Sequence, residues 1–159
     1  MTANISHGRT DSATRFIAAS ADVIYRAFVD PKAWPQWLPP DGMTGQIYEF
    51  DARPGGTYRM ALTYRGDHPN AGKTSDDTDV VEGRFAELVP NRRVVQIVTF
   101  QSDDPAFAGE MRMTWSLSPV AGGTDVSIIA ENVPIGISKA DHDVGLRSTL
   151  ENLARFVEG

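Results

Sequence analysis

From Thr57 to Ala130 the chain reads almost entirely as strands and turns, and it then closes on a single amphipathic helix, Lys139 to Val157. A shorter helix, Ala21 to Val29, stands near the start. That order is the strongest constraint in the sequence. A long antiparallel sheet must bury one apolar face, and one helix is too narrow to cover all of it. A sheet that curls around such a helix leaves a cavity between them. The expected fold class is therefore α+β, with about seven antiparallel strands curved around a long C-terminal helix. The expected role is that of a module for a hydrophobic ligand, which the sequence does not name.

The helix stripe is explicit. Leu146, Leu150, Leu153 and Val157 recur at spacings of four, three and four, opposite Arg147, Ser148, Glu151, Asn152 and Arg155. Two strands alternate cleanly. Tyr58, Met60, Leu62 and Tyr64 oppose Thr57, Arg59, Ala61 and Thr63, while Met111, Met113, Trp115 and Leu117 oppose Arg112, Thr114 and Ser116. Further strands are expected over 14–18, 46–50, 80–88, 93–100 and 124–130. Arg53-Pro-Gly-Gly56, Val89-Pro-Asn-Arg92 and Gly122-Gly123 mark turns. Ser20 is a candidate N-cap for the first helix, and Asp30-Pro31 ends it because the residue before proline is pushed out of helical geometry. Trp34-Pro-Gln-Trp37-Leu-Pro-Pro40 is too proline-rich for a regular helix. Residues 1–11 read as a polar tail, 12–159 as a single domain, and Arg65 to Thr78 as a long polar loop, either a lid or disordered.

Composition narrows the function classes. A chain of 159 residues with 41% hydrophobic and 23% charged residues suits one globular core. A net charge of −6 argues against a polyphosphate partner and against an anionic membrane surface. With no cysteine, disulfides, zinc–thiolate sites and thiol nucleophiles are excluded. No apolar run approaches the roughly 18 residues that span a bilayer, and the N-terminus lacks the layout of a secretory signal, so a cytoplasmic location is expected. No dinucleotide fingerprint, Gly-x-Ser-x-Gly elbow or His-Glu-x-x-His pair is present. The reading therefore leans away from an enzyme and includes no cofactor and no metal.

Four stretches carry a family resemblance: Ala21-Asp-Val-Ile-Tyr-Arg-Ala-Phe-Val-Asp-Pro31, Trp37-Leu-Pro, Pro54-Gly-Gly-Thr-Tyr-Arg59 and Gly145-Leu-Arg-Ser-Thr-Leu-Glu-Asn-Leu153. Together they make the chain resemble the activator of heat-shock protein 90 ATPase homologue (AHSA-like) family, over roughly residues 12–158. That family lies within the START/Bet v-like (SRPBCC) superfamily, so the resemblance implies a helix-grip fold. In one place the chain departs from it: many members have Gly-Trp in the last helix, where this chain has Gly145-Leu146, so a pocket there would be differently shaped. The resemblance also implies a chaperone partner. Activators of that kind carry an additional N-terminal domain, for which this chain is expected to have no room.

Trp37, Tyr58, Met60, Leu62, Met111, Met113, Trp115, Leu146 and Leu150 are the apolar candidates for a ligand-binding wall. Their soft, adaptable side chains suit a flat or greasy molecule, although each taken singly reads first as plain core. His142 stands one turn before Leu146, on or beside the inward stripe. It is either a polar group at the pocket mouth that orients a ligand or moves a proton, or a partly exposed first-turn histidine. His7 falls in the tail and His68 in the loop. Asp141-His142-Asp143 cannot converge on one ion, because adjacent helix positions diverge by about a third of a turn. The Asp76-Asp77-Thr-Asp79 cluster lacks the calcium-loop pattern and reads as solvated loop. Gly55-Gly56 reads as a hairpin rather than a phosphate cradle. Glu82, Glu110 and Glu131 read as solvated strand ends.

Three roles follow. The first is binding of a small hydrophobic or aromatic molecule. The second is an enzyme acting on one, cyclase- or dehydratase-like, for which His142, Tyr58, Tyr64 and Glu110 are the candidate catalytic residues. The third is stimulation of a chaperone ATPase.

Overall fold

In the structure, a computed structural model that describes residues 9–39, 42–64 and 77–158, seven strands form one antiparallel sheet around the final helix. In chain order the elements are β1 (Arg9–Ile17), α1 (Ala21–Val29), α2 (Trp34–Trp37), β2 (Met43–Phe50), β3 (Thr57–Tyr64) and β4 (Thr78–Val89). They continue with β5 (Arg93–Gln101), a 3-10 turn (Pro105–Phe107), β6 (Met111–Val120), β7 (Gly123–Val133) and α3 (Lys139–Glu158). The sheet order is β1-β7-β6-β5-β4-β3-β2. This is the expected α+β helix-grip architecture.

Most elements lie where their patterns place them, and the departures have physical causes. β1 begins at Arg9 rather than Thr14, because Arg9 and Asp11 already pair with Val133 and Ala130 of β7. Residues 9–11, read as tail, are therefore sheet. Trp34–Trp37 is a one-turn helix, not an irregular stretch; Pro35 sits in its first turn, where a missing N–H leaves nothing unsatisfied. Ser20 occupies the N-cap position of α1 but makes no side-chain cap. The acidic cluster divides: Asp77 is exposed, whereas Asp79 lies within β4, 3% exposed, opposite Leu62. His7, His68, Asp76, Pro40 and residues 65–76, most of the loop that reads as either a lid or disordered, lie outside the described residues.

The Gly-Gly turn is structural. Gly55 has φ +84°, and Gly55 N and Gly56 O bond Phe85 of β4 at 2.7 and 2.8 Å. Val89-Pro-Asn-Arg92 closes the next hairpin with Asn91 at φ +64° and Arg92 N donating to Val89 O at 3.0 Å.

One half of the space between sheet and helix is filled. Trp34 meets Phe50, Tyr58 and Phe85 edge-on at centroid distances of 4.8, 4.8 and 5.8 Å. Phe28 meets Trp37 and Trp115 at 5.0 and 4.9 Å. Such pairs add about 0.5–1.5 kcal/mol each beyond the area they bury. The indole N–H groups are satisfied as well: Trp34 Nε1 donates to Phe28 O at 2.7 Å and Trp37 Nε1 to Ala27 O at 3.1 Å. Leu150, Leu153 and Ala154, from the second half of α3, complete this dry core.

Tyr58 reaches across β4 only because residue 83 is glycine. A Cβ there would stand 2.5 Å from the Tyr58 ring and hydroxyl and 2.8 Å from the Ile97 carbonyl oxygen. Both the ring and a central strand would have to move. Gly83→Ala is therefore expected to destabilise the fold by about 2 kcal/mol, within the usual overpacking range. Urea unfolding at unchanged m-value measures this, and a change under 0.5 kcal/mol would show that the ring has room to yield.

Candidate functional site

The first half of α3 does not fill the space beneath it. Its inward positions carry His142, Gly145 and Leu146, with Thr149 just past the midpoint, mostly small or polar groups, where the rest of the second half carries Leu150 and Leu153. The result is a cavity of about 240 Å³ between the start of α3 and the sheet. Alternation within each strand aims its wall inward: Tyr58, Met60, Leu62 and Tyr64 from β3, Met111, Met113 and Trp115 from β6. Val81 of β4, Val98 and Phe100 of β5 and Ile128 of β7 fill the wall between and beyond them. Met43 joins Met60, Met111 and Met113, so four of the five methionines of the chain line this one space. Unbranched thioether side chains can repack around ligands of different shape.

The sequence-derived candidates sort cleanly. Tyr58, Met60, Leu62, Tyr64, Met111, Met113, Trp115, His142 and Leu146 line the cavity. Trp37 and Leu150 do not; both are buried in the filled half, Trp37 between Phe28 and Trp115. Glu110 lies outside too, exposed before β6, with its carboxylate 3.3 Å from Arg84 and its carbonyl accepting from Asn132. Glu82 and Glu131 are likewise exposed. Asn152, assigned to the polar face, instead donates to Pro39 O at 3.0 Å, beside a Thr149 hydroxyl that donates to Leu38 O at 3.2 Å.

Four polar wall residues, Gln96, Asp79, Asp141 and Thr149, are absent from the candidates read from the sequence. Gln96 is 4% exposed and occupies an inward position of β5 between Val94 and Val98. Its Oε1 accepts from Trp115 Nε1 at 3.0 Å. Because an indole N–H only donates, the amide orientation is fixed and its NH₂ donors are left on the other side. The one polar residue in an apolar alternation was the available signal. Asp79 was hidden by its acidic neighbours.

At the mouth, His142 meets a buried carboxylate flanked by two more-exposed cations. Its Nδ1 lies 2.8 Å from Asp11 Oδ2, and the Asp11 side chain is fully buried. Arg9 Nε donates to both Asp11 oxygens at 2.9 and 3.0 Å, and Lys139 Nζ stands 3.6 Å away. Arg9 also donates to Ile137 O at 2.6 Å, tying β1 to the segment that enters α3. Burial pushes the Asp11 carboxyl up, but the hydrogen bonds from Arg9 and His142 and the charges beside it prevail, holding it below its ordinary 3.8. Burial raises both tyrosine phenols that line the cavity, and at Tyr64 the nearby Asp79 and Asp141 add to the effect. Both stay neutral near pH 7, able to donate hydrogen bonds but not to act as bases. Among the described residues no group of three or more His, Cys, Asp or Glu side chains is placed to hold a metal ion, and no helix is long and apolar enough to cross a membrane.

Comparisons with known proteins agree with this architecture. The family model described as Activator of Hsp90 ATPase homolog 1-like protein matches residues 18–158. A solved protein of Chromobacterium violaceum is 35% identical, covering 94% of this chain and 97% of its own, with a TM-score of 0.83. A Rhodobacter sphaeroides protein is similar at 20% identity and a TM-score of 0.76, covering 98% and 97%. An AHSA1-like protein of Aeromonas hydrophila is similar at 15% identity and a TM-score of 0.71, covering 94% and 92%; both show the fold alone. None of the curated proteins matches the chain.

The Asp11 cluster sets a pH dependence. A carboxyl whose folded pKa lies below its unfolded value stabilises the fold fully above the unfolded value and loses that contribution as pH falls through the folded one. Asp11→Asn is expected to cost about 2 kcal/mol at pH 7, as for hydrogen bonds to a charged group. The gap between the two proteins should hold from pH 7 to about 5 and shrink below 3.8. Urea unfolding across that range measures it; a gap that persists unchanged at pH 2.5 would contradict the assignment.

Proposed function

The chain belongs to the Activator of Hsp90 ATPase homolog 1-like family, and from that premise we propose that it binds a small hydrophobic or aromatic molecule in the cavity under the first half of α3. One observation carries the reading: a methionine-rich hollow of about 240 Å³ lies directly beside a core that is otherwise tightly packed. A cavity of about 150 Å³ already accommodates benzene, so a fused bicyclic ring system is a reasonable guest. Burying its apolar surface supplies the driving force, at about 25 cal/mol per Å² removed from water. The few polar wall groups would then fix its orientation.

The departure at Gly145-Leu146 fits this reading. Where many members of the family carry tryptophan, Leu146 is smaller and leaves volume on the helix side of the space. The family description favours one alternative, a co-chaperone that stimulates a chaperone ATPase. Clear stimulation that survives blockage of the cavity would put that role in place of ligand binding.

Blocking the cavity tests the proposal. A Cβ at Gly145 meets nothing within 4 Å, and almost any residue is a better helix former than glycine. Gly145→Leu should therefore fold at least as stably as the parent while placing its side chain in the guest's space. Titration with 2-naphthol and related bicyclic probes is expected to show at least ten-fold weaker binding for Gly145→Leu. Glu110→Gln, outside the cavity, should bind as the parent does. Equal binding by all three proteins would place the probe elsewhere.

A further inference from the structure

His142 and Asp11, 131 residues apart, meet at the cavity edge in a geometry that assigns a chemical preference. Asp11 is an ionised acceptor, so the ring nitrogen facing it, Nδ1, carries a proton. His142 makes no other side-chain hydrogen bond among the described residues, which leaves Nε2 to the cavity that the ring lines. In the neutral ring that nitrogen is a lone-pair acceptor. We propose that Asp11 is a positioning residue that fixes the His142 tautomer, so that Nε2 accepts the hydroxyl of a phenol- or enol-bearing apolar ligand. This rests on the ligand-binding reading and specifies the class of ligand.

The surroundings of the pair support one tautomer over the other. From β1, Arg9 donates to both Asp11 oxygens; from α3, Lys139 approaches Asp11 and bonds Asp143. These cations hold the carboxylate oxygens in place, so His142 is offered an acceptor and never a donor. Asp141 on α3, Tyr64 on β3 and Asp79 on β4 also border the cavity. A phenol entering there meets, beside these two carboxylates, an acceptor at Nε2 that Asp11 holds in place, and the methionine wall for its rings.

The same geometry states what Asp11→Asn would do. The Asn oxygen would turn toward Arg9 and Lys139, and its NH₂ would then face His142. Nδ1 would have to accept, and the proton would move to Nε2, turning the acceptor presented to the cavity into a donor. An aspartate that orients a catalytic histidine shows the same wrong-tautomer consequence when replaced by asparagine.

Two measurements at pH 8.5, above the range in which imidazoles ordinarily titrate, test this. The first is the tautomer in ligand-free protein, from ¹⁵N shifts and couplings of the labelled ring: Nδ1–H is expected in the parent and Nε2–H in Asp11→Asn. The second is calorimetric affinity for 2-naphthol, a donor, against 2-methoxynaphthalene, which only accepts. The parent is expected to prefer naphthol about ten-fold, the effect of one hydrogen bond. Asp11→Asn should lose or reverse that preference. His142→Leu, which leaves Asp11 its two cations, should bind both probes alike. An Nε2–H tautomer in the parent, or a naphthol preference that survives in either variant, would overturn the proposal. Equal affinities in the parent would overturn it while leaving ligand binding intact. If neither probe binds, both readings fall together.

Discussion

A single helix of 20 residues cannot cover the inner face of seven strands, and everything else in this molecule accommodates that mismatch. The shortfall is met at one end only. There, α1 and the short α2 bring Phe28, Trp34 and Trp37 under the sheet, and the second half of α3 adds its leucines. At the other end no extra element arrives among the described residues. The inward residues of α3 are small or polar there, and the sheet meets them with long, flexible methionines. The cavity is thus a consequence of where the aromatic wedge stops.

Polar tethers fix how far α3 stands off. Its first turns are held to edge strand β1 through His142 and Asp11, and its last through the Glu158 carboxylate, which accepts from Ala18 N at 2.9 Å. Along its other side, Thr149 and Asn152 bond the carbonyls of Leu38 and Pro39. Hydrogen bonds are directional and short, so they set a distance that apolar packing alone leaves adjustable. The helix is therefore braced at its edges, over a wall that can rearrange.

Much of this was legible in the chain. Period-two alternation in β3 and β6 identified most of the cavity wall, because a strand's two faces are decided locally. The helix stripe likewise placed Leu146 and His142 inward. Trp37 and Leu150 were misplaced for one reason: an apolar pattern says that a side chain is buried, not whether its neighbour is protein or empty space. Glu110 failed for another, since a residue at a strand end takes its direction from the turn. Asp11 was beyond reach, because its significance depends on β1 and α3 meeting across 131 residues, and it lay in a stretch that reads as polar tail. Gln96 broke the apolar alternation of β5, and that interruption was the overlooked signal, whereas Asp79 was masked by the acidic run before it.

The methionines give the most direct test of the central claim, that the space under α3 receives a hydrophobic guest. Met43, Met60, Met111 and Met113 all border it, and the remaining Met1 lies outside the described residues. With ¹³C-methyl-labelled methionine, a titration with 2-naphthol should shift these four methyl resonances together and saturably. If the probe binds yet leaves all four unmoved, or if they stay unmoved across a panel of bicyclic and fatty-acid probes, the cavity is not a binding site.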